Sequence, residues 1–137
     1  MRLIYLSQSF YQKYANCSEI LQKPKRPYAC LAVRVEGRIF AIPFRHHIRH
    51  KYAFITQGTC GLDYTKAVLI KSQSDIDVAT PWVDKNDFDA IRGKEQMIAN
   101  QLCRYIRLYK KALRYKNNPH YANIIQCSSL QYFPELY

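Results

Sequence analysis

The chain has 137 residues, of which 48% are apolar or aromatic; this suits one domain, residues 1–137, with a real core and argues against disorder. Its 21 Lys and Arg stand against 10 Asp and Glu, a net charge of +11, which favours a polyanionic partner: nucleic acid or an anionic membrane surface. No run approaches membrane-spanning length, and Met1 to Phe10 lacks the apolar stretch and small-residue cleavage site of a signal peptide.

Cys17, Cys30, Cys60, Cys103 and Cys127 include no pair at zinc-ribbon spacing. A reduced, cytoplasmic protein is the simplest expectation, with Cys30 and Cys103 as core thiols. The 12 tyrosines read mainly as half-buried sheet residues with wet hydroxyls. Tyrosines among cations also stack on unpaired bases.

In chain order, Leu3 to Leu6 is a short apolar strand. Ser7 or Ser9 then caps a short helix through Tyr11 and Tyr14. Gln22-Lys23-Pro24-Lys25-Arg26-Pro27 is a loop, broken by two prolines and carrying three cations. Tyr28 to Val35 and Ile39 to Phe44 form a hairpin about Glu36-Gly37-Arg38. Arg45 to Lys51 leaves the second strand. Ala53 to Ile55 is a brief strand, and Gln57 to Gly61 a loop. Ala67-Val68-Leu69-Ile70 has the composition of a central strand buried on both faces. Asp75 to Val83 is an extended connection. Asp84 caps a helix that Gly93 divides into a short segment and a long one, about Lys94 to Tyr115. Asn117-Asn118-Pro119 ends it, and the tail holds a short helix or strand near Ile124 followed by extended chain. The order of elements predicts an α+β fold: a twisted, mostly antiparallel sheet with packed helices, including a long basic one near the C-terminus.

Chemistry concentrates in Arg45-His46-His47-Ile48-Arg49-His50-Lys51. Metal-free RNA cleavage needs a base for the 2′-hydroxyl, an acid for the 5′-oxygen and fixed positive charge on the phosphorane. Histidine titrates near neutrality, and arginine matches phosphate with two donors. His46 is the expected acid–base group, and His47 its second or a phosphate contact; His50 is expected to be peripheral. Arg26 and the Arg45 to His47 segment lie at similar distances from Gly37, so they should meet at the open end of the hairpin. The competing reading makes these residues a solvated surface. The acids are too scattered for a two-metal nuclease, and no metal or cofactor is expected. Arg104, Arg107, Lys111 and Arg114 on the long helix read as a phosphate-tracking ladder, with Glu95 the only acid on that helix.

Over nearly its whole length the chain resembles the toxin ribonucleases of type III toxin–antitoxin systems, the family of ToxN and AbiQ, nearest its CptN branch. The likeness lies in Ile4-Tyr5-Leu6 with Tyr11-Gln12-Lys13-Tyr14, in Val35-Glu36-Gly37-Arg38, and in Phe40-Ala41-Ile42-Pro43. It continues through Gly61-Leu62-Asp63-Tyr64-Thr65-Lys66 and Ala67-Val68-Leu69-Ile70 to the basic helix. The resemblance implies metal-independent endoribonuclease activity that leaves a 2′,3′-cyclic phosphate. It implies target mRNA as substrate and inhibition by a pseudoknotted antitoxin RNA, cut from a repeat precursor and held in a closed toxin–RNA assembly. It also implies a role in phage defence by abortive infection or in plasmid maintenance. By offset from Pro43, the family's Thr-Ser falls on Arg45 and His46, and its nearby Lys on Ile48, a departure. Its pre-strand lysine falls on Arg26 and an early tyrosine on Tyr11. The expected catalytic set is therefore His46, His47, Arg45, Arg26 and Tyr11. Lys23, Lys25, Arg49, Lys51 and Lys66 join the helix ladder as expected RNA contacts. The alternative is a non-catalytic RNA-binding or ribosome-associated protein. A DNA-binding regulator is disfavoured, because no helix-turn-helix pattern appears.

Overall fold

A computed structural model describes residues 1–22 and 27–137; the expectations for Lys23, Lys25 and Arg26 lie outside these. β1 (Arg2–Tyr5) leads through the N-cap Ser7 into α1 (Gln8–Lys13). Ser7 accepts a hydrogen bond from the Phe10 amide at 3.2 Å, satisfying one of the free N–H groups of the first turn.

β2 (Ala29–Val35) and β3 (Arg38–Arg45) form the hairpin that organises the sheet. Its two-residue turn places Glu36 at φ 51° and Gly37 at φ 79°. This double left-handed geometry matches the twist of the flanking strands, and glycine adopts it freely. β4 (Ala53–Gln57) and β5 (Cys60–Asp63) form a second hairpin, and β6 (Val68–Ile70) follows. All pairings are antiparallel, in the order β1-β2-β3-β5-β4, with β6 also on β3.

β3 has two neighbours on one edge. Ile39, Phe40 and Ala41 pair with β6, while Phe44 and Arg45 pair with β5. The change of neighbour spans Ile42 and Pro43, and a proline has no N–H to give a ladder. The strand nevertheless continues past Pro43, so the cationic bend begins after Arg45, one residue later than the sequence suggests.

Three other expectations are corrected. Gly61 lies within β5, not in a loop. A Cβ there would come within 2.1 Å of the Phe54 carbonyl oxygen, so glycine is required by close backbone approach. β6 pairs with β3 alone among the described strands, so it is not central. Val68 and Leu69 are still buried, because the single-turn 3₁₀ helix Ser129–Tyr132 packs against the strand. Ser129 also donates to the carbonyls of Thr65 and Ala67. The tyrosines are mostly half-buried, but only Tyr5 sits in a strand; the rest are on helices, turns and loops.

Asp84 caps α2 (Lys85–Ile91), and Gly93 at φ 77° separates it from α3 (Glu95–Arg114). Ile98, Leu102, Ile106 and Tyr109 recur at helical spacing and are buried; α3 packs on β2. Cys30 is buried, as expected. Cys103 is only partly so, with its thiol facing the Glu36 carboxylate at 3.7 Å. Asn118 caps α4 (Pro119–Cys127), so Pro119 opens a helix as well as following one. The extended tail expected after it is replaced by the 3₁₀ turns Ser129–Tyr132 and Pro134–Leu136. The result is one α+β domain, and among the described residues no helix is long and apolar enough to cross a membrane.

Candidate active site

The site grows from the strand face that carries Arg45. Arg45 pairs with Gly61 across β3 and β5; Asp63, two residues on, shares that face. Asp63 is fully buried, and a carboxylate there needs compensation. Its Oδ2 accepts from Arg45 Nη1 at 2.8 Å. Its Oδ1 accepts from the Thr65 amide at 2.9 Å, the Thr65 hydroxyl at 2.6 Å and His50 Nε2 at 3.1 Å. His50 Nδ1 accepts from the Tyr52 amide at 3.1 Å. Nδ1 is thus the unprotonated nitrogen, and Nε2 is the donor. His50 is consequently tied to the buried acid and not peripheral, correcting the sequence expectation.

Above this cluster lies a cavity of about 280 Å³, lined by Arg45, His50, Lys66, Tyr52, Tyr105 and the α4 face bearing Asn123. Lys66 sits at the end of the 3₁₀ turn Tyr64–Lys66, which Asp63 caps. Its Nζ donates to the Cys127 carbonyl at 3.1 Å. Burial pulls its pKa below the ordinary lysine value; the Asp63 charge opposes the shift and Arg45 adds to it. The arrangement combines a cation (Arg45), an amine whose pKa burial lowers (Lys66) and a ring locked by hydrogen bonds (His50). It can hold an anion and move a proton beside it.

On the other side of Lys66, Tyr11 lines a narrow cleft of about 10 Å³ beside Pro43. The Tyr11 hydroxyl is buried, with no hydrogen-bond partner among the described residues. Burial pushes its pKa up, so it remains a donor.

The other expected residues are dispersed. His46 and His47 are exposed on the bend, their ring centroids 6.4 Å apart, and neither lines the cavity. His46 follows Arg45 and faces away from it, with Nδ1 2.9 Å from Cys60 Sγ. His47 has φ 59°, which turns the chain. Ile48 is buried and its amide donates to the Thr59 carbonyl at 2.9 Å, which pins the bend to the β4–β5 turn. Arg49 is exposed. Lys51 lies over the Tyr52 ring at 5.6 Å. On α3, Arg104, Arg107, Lys111 and Arg114 are all exposed. Two of them have partners from other elements: Arg107 pairs with Glu36 at 3.3 Å, and Lys111 lies over the Tyr121 ring at 5.8 Å.

Asp63, Tyr52 and Tyr105 are site residues to which the sequence assigned no role, and His50 is one it set at the periphery. Gly61-Leu62-Asp63 carries the signal, since strand alternation puts Asp63 on the Arg45 face once Gly61 is placed in β5. Comparison with protein-family models, curated proteins and solved structures finds no match to this chain.

Proposed function

We propose that this chain is a metal-independent endoribonuclease of the type III toxin class, cleaving RNA through attack of a 2′-hydroxyl on the adjacent phosphodiester. One observation carries the reading: Lys66, Arg45 and His50 converge on a single cavity above buried Asp63. In this mechanism the uncharged Lys66 amine takes the 2′-hydroxyl proton. The oxygen attacks phosphorus, and the 5′-oxygen leaves with the proton returned from the Lys66 ammonium. Products are a 2′,3′-cyclic phosphate and a 5′-hydroxyl. Guanidinium N–H groups of Arg45 not committed to Asp63 stabilise the phosphorane. His50 is a positioning residue that fixes Asp63 and the bend. His46, His47, Arg49 and Lys51 contact the strand as it leaves the cavity, and Arg26, Lys23 and Lys25 add positive charge for the same RNA.

The order of sequence blocks that resemble those of the ToxN and AbiQ family supports the biological setting. In it, cytoplasmic target mRNA is cut, and a structured antitoxin RNA, processed from a repeat precursor, inhibits the toxin in a closed assembly. The exposed cations of α3 support the alternative, a non-catalytic RNA-binding or ribosome-associated protein. The two separate cleanly. Purified protein incubated with single-stranded RNA in excess chelator should give fragments with cyclic phosphate ends, and its induced expression should arrest growth. RNA binding with neither cleavage nor arrest establishes the alternative.

A further inference from the structure

A second cavity, about 360 Å³, opens on the far side of the Tyr52–Tyr105 wall, whose ring centroids are 5.5 Å apart. Both rings line both cavities. The second is otherwise bounded by Lys51, Tyr64, Gln101, Arg104 and Leu108. Its size falls in the range of small-ligand pockets and admits a purine. Tyr52 is half-buried, so it offers ring surface for stacking, and Leu108 supplies an apolar side.

Its polar groups are biased towards donors. Tyr64 is 3% exposed, and burial raises the pKa of its hydroxyl, keeping it protonated. That hydroxyl donates to Gln101 Oε1 at 2.6 Å. The bond fixes the Gln101 amide and engages one of the two lone pairs of its carbonyl oxygen, while the Nε2 hydrogens stay available to a ligand. The Arg104 side chain has no hydrogen bond or acidic partner among the described residues. Lys51 adds a third donor.

We propose that this cavity is a base-specificity subsite that takes an unstacked guanine next to the reacting phosphate. Guanine presents two adjacent acceptors, O6 and N7, on one edge; the same edge of adenine pairs an acceptor with an amino donor. A donor-rich wall fits the first and opposes the second. Tyr52 and Tyr105 link this subsite to the cavity of Lys66 and Arg45, so the base held here sets which phosphodiester reaches them. The inference rests on the ribonuclease reading for its catalytic meaning, but binding tests it separately.

The full chain is titrated with guanosine 3′-monophosphate and adenosine 3′-monophosphate, and cleavage is mapped on RNAs of mixed sequence. Guanosine 3′-monophosphate should bind roughly tenfold tighter or better, and cuts should fall beside guanosine. Gln101→Glu keeps an acceptor for Tyr64 while replacing the free donor with an acceptor, so the preference for guanine should vanish with thermal stability retained. Arg104→Met, on an exposed position, should weaken it similarly. Equal binding of the two nucleotides, or a guanine preference untouched by both variants, overturns the subsite. If RNA is cut without such preference, the subsite fails and the ribonuclease reading stands. If guanine is selected but no RNA is ever cut, the subsite stands and the ribonuclease reading fails.

Discussion

Lys66 is where residue chemistry and proposed function meet. A base works in its uncharged form, so the rate should rise with pH through the Lys66 pKa, which burial sets below that of a free lysine. Lys66→Arg keeps the charge and cannot lose the proton. It should lower kcat by roughly 100-fold or more, remove the alkaline rise and change KM little. His46→Ala and His47→Ala should weaken RNA binding several-fold and leave the pH profile in place. An unchanged profile in Lys66→Arg, or its loss in His46→Ala, moves the chemistry to the bend. The residue types were readable from the sequence: a cationic, imidazole-rich segment after a strand. Which imidazole meets a buried acid was not. That depends on Asp63 crossing from the next hairpin to Arg45 and His50, a contact between positions 13 and 18 residues apart in the chain.

At the scale of elements, local rules worked where the backbone itself was constrained. Glu36-Gly37 fixes the first hairpin, Gly93 divides α2 from α3, and Asp84 begins a helix. They failed at Gly61, where glycine marks a close approach between strands and not a turn. The two glycines of the β4–β5 hairpin, Gly58 and Gly61, therefore offer a direct comparison. Gly61→Ala puts a methyl group against the Phe54 carbonyl and the Ile55 Cα and should destabilise by about 3 kcal/mol, the upper end of overpacking. Gly58→Ala meets nothing within 4 Å but sits at φ 58°, so its cost should be about 1 kcal/mol. Chemical denaturation of both variants checks the order, and equal losses would remove close packing as the reason for Gly61.

Across the whole molecule, charge and fold class were legible together: a basic α+β domain with an antiparallel sheet follows from composition and element order. The partnering of the basic helix was not, because Arg107 meets Glu36 across 71 residues and Lys111 meets the Tyr121 ring. Arg104 and Arg114, which meet neither an acid nor a ring among the described residues, should therefore carry much of the ladder's long-range attraction. RNA affinity should fall linearly on a log–log plot against salt, and Arg114→Gln should make the slope shallower by about 0.7, the share of one single-strand phosphate. A slope unaltered by that change would place the RNA on another face.

Asp63 has a further consequence for how loss of function would be interpreted. Its two oxygens are saturated by Arg45, His50 and both donors of Thr65, leaving it nothing to offer a reactant. A screen for inactive variants would rank it with chemical participants, although it works as a keystone: removing it releases the bend, the strand end and the following turn together. Soluble yield and melting behaviour would expose the difference, falling for Asp63→Ala and holding for Lys66→Arg.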